Sequence, residues 1–521
     1  MPPWGRWRDT LNVIVDEDEA LRRGGWTRWG AEYAEDVADP DLHGYGATTL
    51  YSFSQDRGLR VLLAANSSTI RKWVAPVNGA VVEGTTGSWL TVGGPPALEA
   101  GERRSISNVG DVVIFAGGIG GATAEAIYTY NSRSGAIGAL TNSIGLTSAK
   151  TVVAWRGVMF YLDVVMEGTR IGHRVLWSDY NDPASVDPSD DSVAGFHDLD
   201  PGEFILGAMP SGDSLFVFTD RSIWRAIATS DSDVFRFSQV YRSATGARCL
   251  VAPYSLDILP DGNMIYVGDS GRVYIYSPYA AAPEKPAWLE NGMPNILTEP
   301  GCNLISGKVV DNGRTLEYLV SYPADADDTE PTATYAVDFD RLCVSRIDHG
   351  FWTFHTYYYV SDECPRPTRI ILSSAGDDSL KDARFFDVFS RERWVSGTTY
   401  AVDSYLSEYY SPALGFDLPD RGKRMTRLDV TAATPVGLSS GSIRVYVGFS
   451  GYPVDPVGTA YASCPISWFT LSSKAVPCLA ATSAPVPWRF VVEGRYLYIR
   501  LSLSGSAVAL SKLIANVEPL A

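Results

Sequence analysis

Apolar residues in this chain recur at every second position or in short runs. They almost never follow the i, i+3, i+4, i+7 spacing that a helix of three turns needs. The chain is therefore expected to be all-β, and the strands come in pairs. Val61–Ala65 is followed across Asn66–Ser68 by Thr69–Trp73, and Val112–Ala116 across a glycine-rich turn by Ala126–Tyr130. Val158–Leu162 precedes Arg174–Ser178, Leu215–Thr219 precedes Ser222–Arg225, and Met264–Gly268 precedes Arg272–Tyr276. Leu316–Ser321 pairs with Thr334–Asp338, and Arg384–Phe389 is read as the opening of one more unit. Turns such as Thr219–Ser222 and Gly268–Gly271 carry the residues that tolerate positive φ in tight hairpins.

The first strands of these pairs begin near 61, 112, 158, 215, 264, 316 and 384. A period of about 50 residues, each with a strand, a polar turn and an aromatic-tipped second strand, is what a four-stranded propeller blade requires. One blade cannot cover both faces of its own sheet, and radial stacking does so while leaving only short edges. The expectation is a β-propeller of six or seven blades over residues 46–395. After that the texture changes to longer alternating strands: Lys423–Val430, Ser442–Phe449, Trp488–Glu493 and Arg495–Ser502. These predict a C-terminal antiparallel β-sandwich over 396–521. Residues 1–45 repeat nothing; Asn12–Val15 and Leu21–Trp26 read as a strand and an extended arm packed on the propeller or on a neighbour.

Composition agrees with this picture and narrows it. With 521 residues the chain has room for two to four domains at roughly 150 residues each, every one large enough for its own core. Its 48 Gly, 31 Pro, 28 Tyr and 14 Trp are scattered, which excludes collagen-like and coiled-coil architectures. Sixty acidic against 43 basic side chains leave a net charge of −17, the wrong sign for a surface that grips phosphates. The same sign suits a surface that DNA must pass without sticking. No stretch has the roughly 20 apolar residues of a membrane span, and Met1–Arg8 lacks the apolar core of a secretion signal, so synthesis in a cytoplasm is expected. The six cysteines, at 249, 302, 343, 364, 464 and 478, form no C-x-x-C pair and read as mostly buried thiols.

Candidate chemistry is sparse. His43, His173, His197, His349 and His355 show no metal-binding or protease spacing. Gly117–Gly121 looks like a phosphate loop but lies between two strands, where no helix N-terminus can meet an anion, so a blade turn is the better reading. Asp348-His-Gly-Phe-Trp352 has elements of the Asp-box turn of sialidase-like propellers, without its serine and one residue short of its tryptophan spacing. The densest feature is an acidic loop holding Asp179, Asp182, Asp187, Asp190, Asp191, Asp198 and Asp200, with no Lys or Arg between 179 and 201. It reads as a solvated loop, as a DNA-repelling rim, or as a calcium site that lacks the D-x-D-x-D-G pattern.

Three stretches together resemble the tail nozzle proteins of short-tailed bacteriophages, also called packaged-DNA stabilisation or tail tubular proteins. They are Asn12–Val15 with Arg22–Trp26; Val175–Pro183 leading through Asp200–Leu206 into Leu215–Trp224; and Leu414–Met425 heading the C-terminal strands. The resemblance implies a virion component without catalytic residues, cofactor or metal. Similar proteins form a ring, commonly of six copies, below the portal and adaptor. That ring's channel retains and conducts genomic double-stranded DNA, and tail fibres or a needle attach at its level. In that setting an acidic lining, including the loop from Asp179 to Asp200, would let the polyanion slide. The rival expectation is a glycan-degrading or glycan-binding tail component, with carboxylates and arginines converging in one propeller pocket or with exposed aromatic platforms.

Overall fold

The computed structural model describes residues 102–118, 126–189, 192–229, 234–243, 247–290, 301–311, 316–325, 327–340, 342–347 and 350–358. Outside these it describes residues 9–11, 13–16, 19–22, 26–28, 48–55, 60–65, 69–74, 88–93, 368–374, 385–388, 407–410, 423–433, 442–450, 467–471, 474–475, 486–494, 496–504 and 509–519.

The chain is all-β, a propeller followed by a sandwich. Blade 1 comprises Thr49–Ser54, Arg60–Ala65, Ile70–Val74 and Ser88–Gly93, and blade 2 Ser105–Val109, Val112–Ala116, Tyr128–Asn131 and Ile137–Ala139. Blade 3 runs through Leu146–Trp155, Val158–Met166, Thr169–Trp177 and Gly195–Asp198, and blade 4 through Ile205–Ser211, Ser214–Thr219, Ser222–Ala228 and Phe235–Arg242. Blade 5 has Asp257–Ile258, Met264–Val267 and Val273–Tyr276, with Glu284 bridged to Ile275 where a fourth strand would stand. Blade 6 is Ser306–Asp311, Leu316–Tyr322, Ala333–Asp338 and Cys343–Ile347. Blade 7 is Phe351–Tyr358, Thr368–Ser374 and Phe385–Val388, completed by Trp26–Arg28 from the N-terminal segment. The first strand of each blade touches the first strand of the next, and that of blade 7 touches that of blade 1. Among the described residues this closes a ring of seven.

Three differences from the sequence reading follow. The strands beginning near 61, 112, 158, 215, 264 and 316 are the second strands of blades 1–6, each preceded by a more polar inner strand. Phe385–Val388 is the third strand of blade 7 rather than the start of a further unit. The segment read as an arm is woven into three sheets. Asp9–Leu11 lies parallel to Cys343–Ile347 of blade 6 and antiparallel to Ser407–Tyr410, Glu19–Arg22 pairs with Ala509–Pro519, and Trp26–Arg28 closes blade 7. Strands of three or four residues are too short to show a hydrophobic period, which is why they do not stand out in the sequence.

The second strands are continuous apolar runs because both of their faces are covered. In Val158–Met166, Val158, Phe160 and Leu162 pack against Leu215, Val217 and Phe235 of blade 4, while Met159, Tyr161 and Val164 pack against Ile114 and Ala116 of blade 2. The same alternation repeats in Ser214–Thr219, whose Phe216 and Phe218 meet Met264 and Tyr266 of blade 5. Ile265 and Val267 in turn meet Tyr318, Val320 and Tyr322 of blade 6. Each such side chain contributes about 1.5–3 kcal/mol on burial, so among the described residues each interface from blade 1 to blade 6 is a core of its own. Two-residue turns set the register in blade 3: Arg156-Gly157 and Glu167-Gly168 each hold both residues at positive φ, the type I′ geometry that matches strand twist.

Inner strands carry Ser, Thr, Asp and Tyr because their free edges need partners from the next blade. Ser105 and Ser107 of blade 2 accept hydrogen bonds from the amides of Val152 and Ala154 in blade 3, at 3.0 and 2.9 Å. Asp257 of blade 5 accepts from Val309 N at 2.6 Å and from Lys308 Nζ at 2.9 Å in blade 6. Thr49 Oγ1 donates to the Arg104 carbonyl, Tyr51 to Asn108, and Ser306 Oγ to the Phe351 carbonyl. A buried backbone group left without such a partner costs free energy comparable to a lost hydrogen bond.

In the sandwich, Ser407–Tyr410, Tyr496–Ser504, Ser442–Ser450 and Ser467–Thr470 form one sheet. Glu19–Arg22, Ala509–Pro519, Lys423–Ala433 and Val486–Gly494 lie in the other. Val445, Val447, Leu497, Ile499 and Leu501 are buried from the first sheet, and Met425, Leu428 and Val492 from the second. Met425 and Leu428 are both buried despite their odd spacing because a register shift lies between Met425 and Arg427. Through Asp9–Leu11 the first sandwich sheet is continuous with blade 6, giving one ten-stranded sheet.

Candidate functional site

At the end of the propeller where the inner strands of blades 2, 5 and 6 begin, Arg103 crosses the axis. It precedes the inner strand of blade 2, yet its Nη2 donates to the carbonyl of Leu304 at 2.7 Å, just before the inner strand of blade 6. Its guanidinium lies 4.7 Å from the ring centre of Tyr254, which leads into blade 5, and its amide donates to the Tyr254 hydroxyl at 3.2 Å. Blades 5 and 6 stand opposite blade 2 in a ring of seven, so Arg103 ties opposite sides of the ring together at this end, where it is 2% exposed. Burial lowers its pKa to about 10, which still leaves the cation intact at neutral pH.

Blade 3 carries a second polar cluster. Asp163 is fully buried at positive φ and is gripped by Arg170 through Nε at 2.8 Å and Nη2 at 2.6 Å. Burial pulls the pKa of Lys150 down and Arg170 adds to that, while Asp163 and Glu102 act in the opposite direction. Leu162 packs toward blade 4 and Val164 toward blade 2, so the strand reverses its alternation at Asp163. The Asp163–Arg170 pair holds that reversal in place, a structural use of charge.

In the acidic loop, Asp179, Asp182 and Asp187 lie between the third and outermost strands of blade 3, on the outer flank of the propeller, Asp198 ends the outermost strand and Asp200 follows it; Val186 is buried in the core cluster against which Leu140 and Ile144 pack. The loop's carboxylates do separate local tasks. Asp179 accepts from the amides of Tyr180 at 2.7 Å and Val193 at 3.2 Å, Asp182 from Ala184 at 3.1 Å, and Asp187 from Ser143 at 3.1 Å. Asp198 receives Nε and Nη2 of Arg174 at 2.6 and 2.7 Å, and Asp200 receives Arg242 Nη1 at 2.5 Å. Asp190 and Asp191 lie outside the described residues. The segment lacks basic residues in sequence, yet the fold brings Arg174 and Arg242 to it from neighbouring strands. Among the described residues no group of three or more His, Cys, Asp or Glu is arranged to hold a metal.

A buried lock escaped sequence reasoning. Glu203, 2% exposed, accepts hydrogen bonds from Thr219 Oγ1 at 2.7 Å and from Ser222 Oγ. Thr219 Oγ1 also receives the amides of Arg221 and Ser222, and Trp224 Nε1 donates to Ser222 Oγ at 2.8 Å. Thr-Asp-Arg-Ser reads as a turn; only the fold shows that a glutamate from the preceding linker sits beneath it.

Of the histidines, His43 and His349 lie outside the described residues, as does Asp348 of the Asp-box-like stretch. Its Gly350 is required: a Cβ there would come within 1.8 Å of the Pro331 carbonyl oxygen. In the other glycine stretch, Gly117 donates its amide to the Ala149 carbonyl at 3.0 Å, and residues 119–121 are outside the described set. Cys249 is buried against Tyr266, and burial pushes its thiol up to about 12, an unreactive state. No helix among the described residues is long and apolar enough to cross a membrane.

His197 stacks on Phe237 with centroids 4.7 Å apart and planes 5° from parallel. Burial depresses its pKa, and Asp198 only partly restores it. Because the folded value lies below the unfolded one, the contribution to stability is complete above about pH 6.5 and is lost as the pH falls through the folded value. Asp198, held down by its hydrogen bonds from Arg174, adds a further loss below about pH 3.9. Melting temperatures recorded from pH 8 down to 5 should therefore fall, and less steeply in His197→Phe, which keeps the stack. Identical slopes in both proteins would show that His197 does not contribute.

No family model matches the sequence, and no curated protein does either. Solved structures overlap it loosely, among them three β-propeller proteins. The WD40 domain of Neurospora crassa Pan2 is 11% identical, covering 72% of this chain and 97% of its own, with a TM-score of 0.40. The N-terminal domain of Nup159 is 8% identical over 74% of this chain and 99% of its own, at 0.39. YCF48 bound to D1 peptide is 10% identical over 66% and 93%, at 0.37. The propeller rests on this chain's own sheet order and its closed ring of inner strands.

Proposed function

We propose that this chain is a structural, non-catalytic component of a bacteriophage tail, a nozzle-type protein assembled in the host cytoplasm and carried in the virion. Its copies form a ring, six in number as in the proteins it resembles, whose channel retains genomic DNA and conducts it on ejection. The adaptor or portal lies above and tail fibres or a needle attach at its level.

The observation that carries this reading is where the resembling residues sit. Val175–Pro183, Asp200–Leu206 and Leu215–Trp224 make up the seam between blades 3 and 4, with Glu203 locked under its hairpin. Residues that mark the likeness thus serve scaffolding. Arg103 ties opposite blades of a single copy together, and in the proposed ring the conduit runs between copies, where the acidic loop on the outer flank is available to line it.

Native mass and electron microscopy of the purified protein and of the virion test the proposal. A symmetric ring is expected. Monomers in both samples would overturn it, and hydrolysis of host polysaccharide by the purified chain would move the assignment to a glycan-degrading tail component.

A further inference from the structure

The N-terminal segment is built unlike the rest of the chain. Apart from the local hairpin of Val13–Asp16 with Glu19–Arg22, its strands pair with partners hundreds of residues away, in ladders of one to three residue pairs: Leu11 with Arg346, Asp9–Leu11 with Glu408–Tyr410, Ala20 and Leu21 with Leu510 and Ala509, and Trp26–Arg28 with Phe386–Val388. Blade 7 supplies three strands of its own and leaves its outermost place to Trp26–Arg28. Nineteen residues, 29–47, then connect Arg28 to the start of blade 1. Fully extended, that length reaches roughly 65–70 Å. A folded chain of this size has a radius of gyration of about 24 Å, so the segment can reach the equivalent sites of an adjacent copy.

We propose that in the assembled ring these N-terminal strands are exchanged: residues 9–28 of each copy complete blade 7 and the sandwich of its neighbour. This rests on the ring reading above. Exchange keeps every ladder hydrogen bond, since the donors and acceptors are the same and only their chain of origin changes. It also supplies what a ring needs, because a donated strand and the vacant edge that receives it are different surfaces, so the contact is heterologous and repeats head to tail until it closes. The occupant of the blade 7 edge is thus a second copy of this chain.

Thr27 faces Asp387 across the blade 7 ladder, and Thr10 faces Tyr409 across the sandwich seam. Cross-strand Cα separations of about 4.5–5.5 Å suit a disulfide. Thr27→Cys and Asp387→Cys chains, differently tagged and co-assembled, should link to each other under mild oxidation, and the double variant should lose its monomer band on a denaturing, non-reducing gel. Thr10→Cys with Tyr409→Cys repeats the test at a second ladder, and each single variant alone sets the background from the native cysteines. A double variant that stays monomeric on that gel while native mass shows a ring overturns the exchange and leaves the ring reading intact. Failure of the ring reading itself is visible beforehand, in the native mass of the unoxidised protein, and takes the exchange with it.

Discussion

A chain lacking residues 1–28 should lose cooperative unfolding, melt on the order of 10 °C lower and become open to proteolysis between blades 6 and 7. The truncation removes the ladders to blade 6, to both sandwich sheets and to blade 7. At about 1 kcal/mol net per hydrogen bond, these ladders contribute several kcal/mol. A typical domain has only 5–15 kcal/mol in total, so the loss is a large share of the stability. At 2–4 °C per kcal/mol for larger domains, a shift near 10 °C follows. Phe385–Val388 would become an open apolar edge, so aggregation should accompany the loss. Added back as a separate peptide, residues 1–28 should restore part of the melting temperature. A truncated chain that melts like the intact one would mean that the ring is closed by something else.

The propeller was legible in the sequence through its second and third strands, because a strand covered on both faces is an apolar run that no turn imitates. Val158–Met166 and Ser214–Thr219 are such runs, buried along nearly their whole length. Inner strands such as Ser105–Val109 and Asp257–Ile258 were not legible, since their Ser, Asn and Asp look like loop residues until the edge of the next blade is present to receive them. For the same reason the closing strand Trp26–Arg28 passed as an arm. The acidic loop holds no Lys or Arg in sequence, and Arg174 and Arg242 reach it only through strand pairing. Charge in a segment and charge at a site are different quantities, and only the first is local.

The Glu203 lock is the sharpest case of such a non-local site, and its removal should be clearly destabilising. Glu203→Ala leaves the hydroxyls of Thr219 and Ser222 without the carboxylate they share, and leaves Arg242 with Asp200 but without its second carboxylate 3.4 Å away. Leaving buried donors without their acceptor costs about 1–3 kcal/mol. Glu203→Gln keeps one acceptor and the side-chain volume, so it should cost about half as much. The hairpin is also the edge on which Phe216 and Phe218 pack toward blade 5 and Leu215 and Val217 toward blade 3, so loosening it should disturb two blade interfaces together. Asp213→Asn provides the comparison: it breaks an ion pair with Arg156 whose carboxylate side chain is 93% exposed, and such pairs contribute about 0–1 kcal/mol. Urea unfolding of the three variants should therefore rank Glu203→Ala well below Glu203→Gln, with Asp213→Asn near the parent. Equal midpoints for Glu203→Ala and Asp213→Asn would show that the hairpin is held by apolar packing alone, with the buried carboxylate adding nothing.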